Sequence, residues 1–148
     1  MCNKSMLRVL LLFLMVPLTV YAAGPLPLKD YEPQNTDEEA IKNVLLNYAE
    51  DWNNYDREGV LSCLHEDAQC MVWGSSGTFT KDDLSKASLK KMKPRLWHGF
   101  YDPKMNIEAD KAVVNATLIT GHGTPVAHEF HMLRGTDRWL IMKVEYTP

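Results

Sequence analysis

The last third of the chain restricts its fold more than any other part. Three segments there, "AVVNATLIT" (112–120), "AHEFHML" (127–133) and "WLIMKVEY" (139–146), are rich in β-branched, aromatic and apolar residues. Gly121, Gly123 and Pro125 separate the first two, and Gly135 with Asp137 separates the others. Strand-forming runs divided by short turns predict an antiparallel meander. Side chains on a strand alternate between faces. Pairing Leu118 with His128, and Phe130 with Met142, collects one apolar face: Val114, Ala116, Leu118, His128, Phe130, Met132, Leu140, Met142 and Val144. The opposite face then carries Asn115, Thr117, Glu129, His131, Trp139, Ile141 and Lys143, with Glu129 opposite Lys143, a favourable cross-strand pair.

A sheet with one apolar face needs something to cover it. Ile41, Val44, Leu45, Tyr48 and Trp52 recur at helical spacing, and predict a long helix over about 37–53. Thr36 with Glu39 has capping-box spacing. "NNYD" ends this helix, and Asp56 caps a short second one whose apolar face is Val60, Leu61 and Leu64. "AQCMVW" (68–73) reads as a strand and "GSSG" as a turn. Thr80 with Asp83 opens a third helix over about 81–92, which Pro94 ends. "LWHGFY" and "KMNIEA" read as two short strands around Asp102-Pro103. The expected class is α+β, with helices on one face of an antiparallel sheet.

The first 22 residues stand apart. Lys4 and Arg8 precede the uncharged run "VLLLFLMVPLTV", and Val20 and Ala22 are spaced for cleavage after Ala22. This is the layout of a secretory signal peptide. The run is short for a membrane span and contains Pro17, although an uncleaved anchor is the alternative. Export predicts a periplasmic or secreted protein with no stable membrane anchor once the signal is removed. Residues 23–35 read as an extended leader, and 36–148 as a single domain.

The chain has 19 acidic and 16 basic residues, a net charge of −3; without Lys4 and Arg8 the basic residues number 14 and the charge is −5. An acidic chain has no electrostatic reason to bind nucleic acid. The basic cluster "KKMKPR" (90–95) complements the dipole at the end of the third helix. Cys63 and Cys70 would sit in an oxidising compartment, as a disulfide or as two separately buried thiols.

Three of the five histidines fall in "GHGTPVAHEFHML" (121–133). His122 sits in the glycine turn. His128 and His131 are an odd number apart, so a regular strand points them to opposite faces, which argues against a shared metal site. No set of His, Cys, Asp and Glu has metal-ligand spacing, and no metal or cofactor is expected. His128 is the lone polar group on the apolar face, either a satisfied core histidine or a proton donor or acceptor facing a pocket.

The order of these motifs over about 36–146 resembles the nuclear-transport-factor-2-like (SnoaL-like) superfamily. The likeness rests on "EEAIKNVLLNYAEDWNNYDREGVLSCLHEDAQCMVWGSSG", "DKAVVNATL" and "HMLRGTDRWLIMKVEY". The stretch from His98 to Trp139 is similar to the association domain of calcium/calmodulin-dependent kinases. The resemblance implies a cone, a curved sheet wrapped around the first helix with two shorter helices beside it. It also implies an interior pocket and, in many members, a homodimer through the outer sheet face. Tyr48 aligns with the tyrosine that ketosteroid isomerases use as a hydrogen-bond donor. Val72 stands where those enzymes have their base. Leu118 and Phe130 stand where kinase association domains have arginines. The implied pocket is therefore apolar: Tyr48, Trp52, Val72, Leu118, His128, Phe130, Met132 and Met142.

Three functions follow as expectations: binding of a small apolar molecule; a lyase or isomerase using His128 as acid/base and Tyr48 as donor; or a non-catalytic assembly module, whose outer face around His131, Trp139 and Ile141 makes the contact.

Overall fold

The computed structural model describes residues 24–92 and 96–147. The expected signal peptide and the end of the basic cluster, 93–95, lie outside the described residues. No described helix is long and apolar enough to cross a membrane.

Helix α1 runs over Thr36–Asn54. Its N-cap is Asn35, whose side chain accepts from the Glu38 amide at 2.9 Å, so the cap lies one residue before the expected Thr36. Tyr55 ends the helix in the left-handed region, at φ 55°. Ile41, Leu45, Tyr48, Ala49 and Trp52 form its buried stripe. Burying an aliphatic side chain such as Ile41 contributes about 1.5–3 kcal/mol, and the stripe therefore fixes which side of α1 meets the sheet.

Helix α2, Arg57–Ser62, is capped by Asp56. The Asp51 carboxyl group of α1 packs directly over Gly59, in the space a Cβ there would take. The chain turns into β1, Leu64–Met71, four residues before the expected strand start, so Leu64 belongs to the strand and not to the helix. A short β2, Thr78–Thr80, follows. The Thr80–Asp83 capping box opens α3, Lys81–Lys86. The expected single helix over 81–92 is broken at Ala87–Ser88, and resumes as α4, Leu89–Met92.

The remaining strands are β3 (Trp97–Glu108), β4 (Lys111–Thr120), β5 (Pro125–Arg134) and β6 (Trp139–Thr147). β3 is one continuous strand where two were expected. Its pairing with β4 slips between Trp97 and Gly99 and between Tyr101 and Lys104. Asp102, beside Pro103, has φ 51° and takes up the second slip. The leader packs against this irregular strand: Leu28 is buried, and the Asp102 amide donates to the Leu26 carbonyl at 2.7 Å.

All six strands form one curved sheet in the order β2-β1-β6-β5-β4-β3. The meander of β3 to β6 is antiparallel as expected, but β1 lies parallel to β6. The last described strand therefore sits inside the sheet, not at its margin.

The register differs from expectation by two residues between β4 and β5, where His128 faces Ala116 and Phe130 faces Val114. An even offset leaves every side chain on its expected face. β6 is different. Phe130 faces Val144, but Met132 faces Ile141, so β6 contains an extra residue between them. This bulge reverses the alternation. Trp139 and Ile141 are buried, at 2% and 0% exposure. They belong to the core and not to the outer face, whereas Leu140 and Met142 are only half-buried.

Candidate functional site

The interior of the curved sheet is built from rings. Tyr48 and Trp52 are four residues apart on α1 and so share one helix face; their rings meet edge-to-face at 6.2 Å. Trp97 lies 5.8 Å from Trp52 and 6.5 Å from Tyr48. Phe130 lies 6.1 Å from Tyr48 and 5.0 Å from Phe100. His128 extends the series, 6.1 Å from Phe130, 5.7 Å from Phe100 and 5.6 Å from Tyr146. Four of these eight contacts are edge-to-face, an arrangement that ring quadrupoles favour. Phe130 thus touches the rings of both residues expected to carry chemistry, Tyr48 and His128.

Of the other residues expected to line a pocket, Val72, Leu118 and Met132 are buried in the same core. Met142 stands apart, displaced to the other side of the sheet by the bulge in β6. Trp97 and Phe100 were not expected inside. They are three residues apart, so strict alternation would separate them. The slip at Gly99, with φ 115°, turns both inward. Gly99 between two aromatics was the available signal.

The polar groups of this interior are few. Among the described residues, Thr120 and His128 are the only buried polar or charged side chains apart from the hydroxyl, indole and thiol groups of Tyr, Trp and Cys. The His128 Nδ1–H donates to the Val126 carbonyl at 3.1 Å, which leaves Nε2 as an acceptor. Burial pushes the His128 pKa down to about 4, partly offset by that hydrogen bond. The imidazole is neutral at neutral pH. Burial, with smaller contributions from Cys70 and Cys63, holds the Tyr48 hydroxyl well above its usual pKa. The Trp52 indole N–H lies close enough to favour the Tyr48 phenolate, yet outside hydrogen-bonding geometry. It is the one fully buried side-chain polar atom without a partner among the described residues.

Cys63 and Cys70 are free, buried thiols and not a disulfide. Burial, and then the charge of Asp51, raise Cys63 to about 11; burial raises Cys70 to about 12. Both remain thiols at neutral pH, with little nucleophilic character.

The outer face carries charge. Glu129 stands directly opposite Glu145, and not Lys143 as expected. His131 Nε2 lies 2.6 Å from Glu129 and 3.6 Å from Glu145, and Lys143 lies 2.7 Å from Glu145. Ligand atoms of Glu129, His131 and Glu145 fall within 4.8 Å of one another. Sequence spacing concealed this group because its third member comes from β6, while His131 and Lys143 already engage the carboxylates. Two surface depressions of about 330 and 320 Å³ share Asn115, Ala127 and His128. Glu145, Thr117 and Lys104, which also line them, stand on this outer face.

At the start of α1, Asp37 accepts from the Trp139 indole at 3.2 Å and pairs with Arg134. These bonds hold its carboxyl below the usual range. Arg134 also stacks over Trp139 at 4.9 Å. This set ties the start of α1 to the β5–β6 turn.

No family model matches the chain, and no curated protein matches it. Solved structures do. An NTF2-like protein from Cytophaga hutchinsonii aligns with 76% of this chain and 98% of its own, at 17% identity and a TM-score of 0.62. The fold is that of the nuclear-transport-factor-2-like superfamily. An NTF2-like protein with a cystatin-like fold from Novosphingobium aromaticivorans aligns with 74% of this chain and 80% of its own (17% identity, TM-score 0.62). A protein of unknown function from Nostoc punctiforme, also with a cystatin-like fold, covers 80% and 96% (13% identity, TM-score 0.63). At such identities the likeness carries the NTF2-like fold, and neither the kinase association-domain branch nor an activity.

Proposed function

We propose that this protein binds a small, largely apolar molecule inside its NTF2-like cone, without catalysing a reaction on it. The observation that carries this reading is the ring-lined interior formed by α1, β3 and β5, where aromatic surface meets a small number of polar groups. Small-molecule sites have this composition. The exported location read from residues 1–22 and a homodimer through the outer sheet face complete the proposal.

The lyase or isomerase reading receives less support. A general acid or base works best with a pKa near the working pH. His128, held near 4 by burial, is a weak base at neutral pH and carries no proton to donate from Nε2. Val72 offers no proton-transfer group either.

The test is a panel of small hydrophobic molecules screened by thermal shift and by tryptophan emission. A ligand that binds only the folded state raises Tm by mass action, and one entering between Trp52 and Trp97 also changes their emission. If no member of the panel raises Tm, the binding reading is wrong.

A further inference from the structure

The basic run that closes the helical region takes no part in the interior. No acidic residue falls between Asp83 and Asp102, so all 19 acidic residues lie elsewhere in the chain. The dipole of one helix over 81–92 would account for Lys90 and Lys91. The structure removes that account. The helix breaks at Ala87–Ser88, and α4 is the single turn Leu89–Met92, with little summed dipole for two lysines to complement. Lys90 and Lys91 are exposed, and neither has an ion-pair partner among the described residues.

Other elements add to the same end of the molecule. The Arg57 guanidinium, at the start of α2, donates to the Ala87 carbonyl at 2.7 Å and so fastens α2 to the α3–α4 break. Lys86 ends α3, its charge partly offset by Asp82 at 2.6 Å. Tyr55, Arg57, Lys86, Ser88 and Lys90 line one open depression of about 480 Å³. Tyr55 is two residues from Asn53, whose side chain makes two hydrogen bonds with the Trp97 backbone, at 2.8 and 2.9 Å. The start of β3 therefore lies at this end too. Leu96, just before Trp97, is 60% exposed, more than any other large apolar side chain among the described residues. A cationic depression and an uncovered leucine thus share one end of the fold.

These cations are exposed, so each is worth little against a single small anion in water. Against a surface that presents many phosphates they add, each contributing roughly fivefold in affinity. An exposed leucine supplies apolar contact that a lipid layer can use and a free anion cannot. The acidic remainder of the chain is repelled by such a surface, which leaves this end as the one that can approach. We propose that the end formed by Arg57, Lys86, Lys90, Lys91 and Leu96 docks reversibly on an anionic phospholipid surface. The basic side chains sit among the phosphate headgroups, and Leu96 reaches the edge of the acyl layer. The docking is independent of whatever the cone holds.

Vesicle sedimentation provides the test. The full chain, and residues 23–148, which keep every described residue, are mixed with vesicles of phosphatidylcholine or of an equimolar mixture with phosphatidylglycerol. The reading is the excess binding to the anionic vesicles. It should be present in both forms of the protein and largely lost in molar salt, a measurement that needs no variant. Lys90→Gln together with Lys91→Gln should reduce it roughly 20- to 30-fold, and Leu96→Ser roughly 3- to 10-fold. All three side chains are exposed, so Tm should stay unchanged. If residues 23–148 do not fold, the same substitutions are read in the full chain. Excess binding by the full chain alone, while residues 23–148 are folded, places the contact in residues 1–22 and overturns the proposal. Excess binding that the lysine substitutions leave unchanged overturns it as well. Inorganic phosphate is the second probe: if it raises Tm while folded protein ignores anionic vesicles, the depression takes a free anion and the docking is wrong. No excess binding at low salt by either form overturns it outright.

Discussion

His128 and His131 lie three residues apart on β5 and occupy opposite worlds. His128 is buried against Phe100, Phe130 and Tyr146, with one backbone carbonyl as its partner. His131 is half-exposed between Glu129 and Glu145. The inner face holds its residues by packing and by exclusion of water. The outer face holds its residues by charge pairing, which water and salt weaken. Position on the pleat, and not residue type, decides what each imidazole can do.

The comparison breaks most visibly at Phe130, the ring shared by both halves of the interior. Phe130→Ala should destabilise the protein by about 3–5 kcal/mol, as truncation of a packed core aromatic does; urea denaturation measures it. A loss below about 1 kcal/mol would mean that the inner face is not a packed ring cluster.

His128 should make stability depend on pH. When folded it stays neutral down to about pH 4; when unfolded it protonates near its ordinary value of 6.5. Between these values the unfolded chain binds more protons, so stability is complete above about 6.5 and falls as the pH drops toward 4. The full loss is on the order of 3 kcal/mol, and His128→Gln should remove that part of the slope. Denaturation midpoints measured at half-unit pH steps for both proteins check this.

Asn53 sharpens the inner side of the comparison. Asn53→Ala removes both hydrogen bonds to the Trp97 backbone, and should cost about 1–3 kcal/mol. Amide exchange at Trp97 and Gly99 should accelerate more than in β4.

The smallest effect belongs to the outer face. His131→Ala leaves two carboxylates directly opposed, and should cost no more than about 1 kcal/mol, less at high salt. Glu145→Gln in the same chain should recover most of that loss. A double-mutant cycle at two salt concentrations decides the point; a salt-independent loss would place His131 in the core system instead.

How much of this was legible in the sequence depended on which signals were local. The α1 stripe was legible because helical periodicity over 19 residues leaves little choice of face. The faces of β4 and β5 were legible because polar and apolar residues alternate there, even though the register was off by two. β6 was not: in "WLIM" both alternating sets are apolar, so nothing marked which set turned inward or where the bulge fell. Trp97 and Phe100 were missed for the same reason, a slip that places residues three apart on one face. The parallel pairing of β1 with β6 joins segments some 75 residues apart, as in Cys70 with Val144, and no local pattern announces it. The orphaned Trp52 N–H is further still from the sequence, because a missing partner exists only once every neighbour has been placed.

The position of β6 has a consequence for the order in which the molecule can be made. β6 is the last described element to leave the ribosome, yet it lies between β1 and β5. Until it arrives, both neighbours present unpaired backbone, and Trp139 and Ile141 are missing from the core they complete. The earlier elements can form local helices and the β3–β4–β5 hairpins, but the two halves of the sheet have no seam. Closing the sheet therefore waits on β6, whose pairing with β1 joins contacts of long sequence separation, a kind that forms slowly.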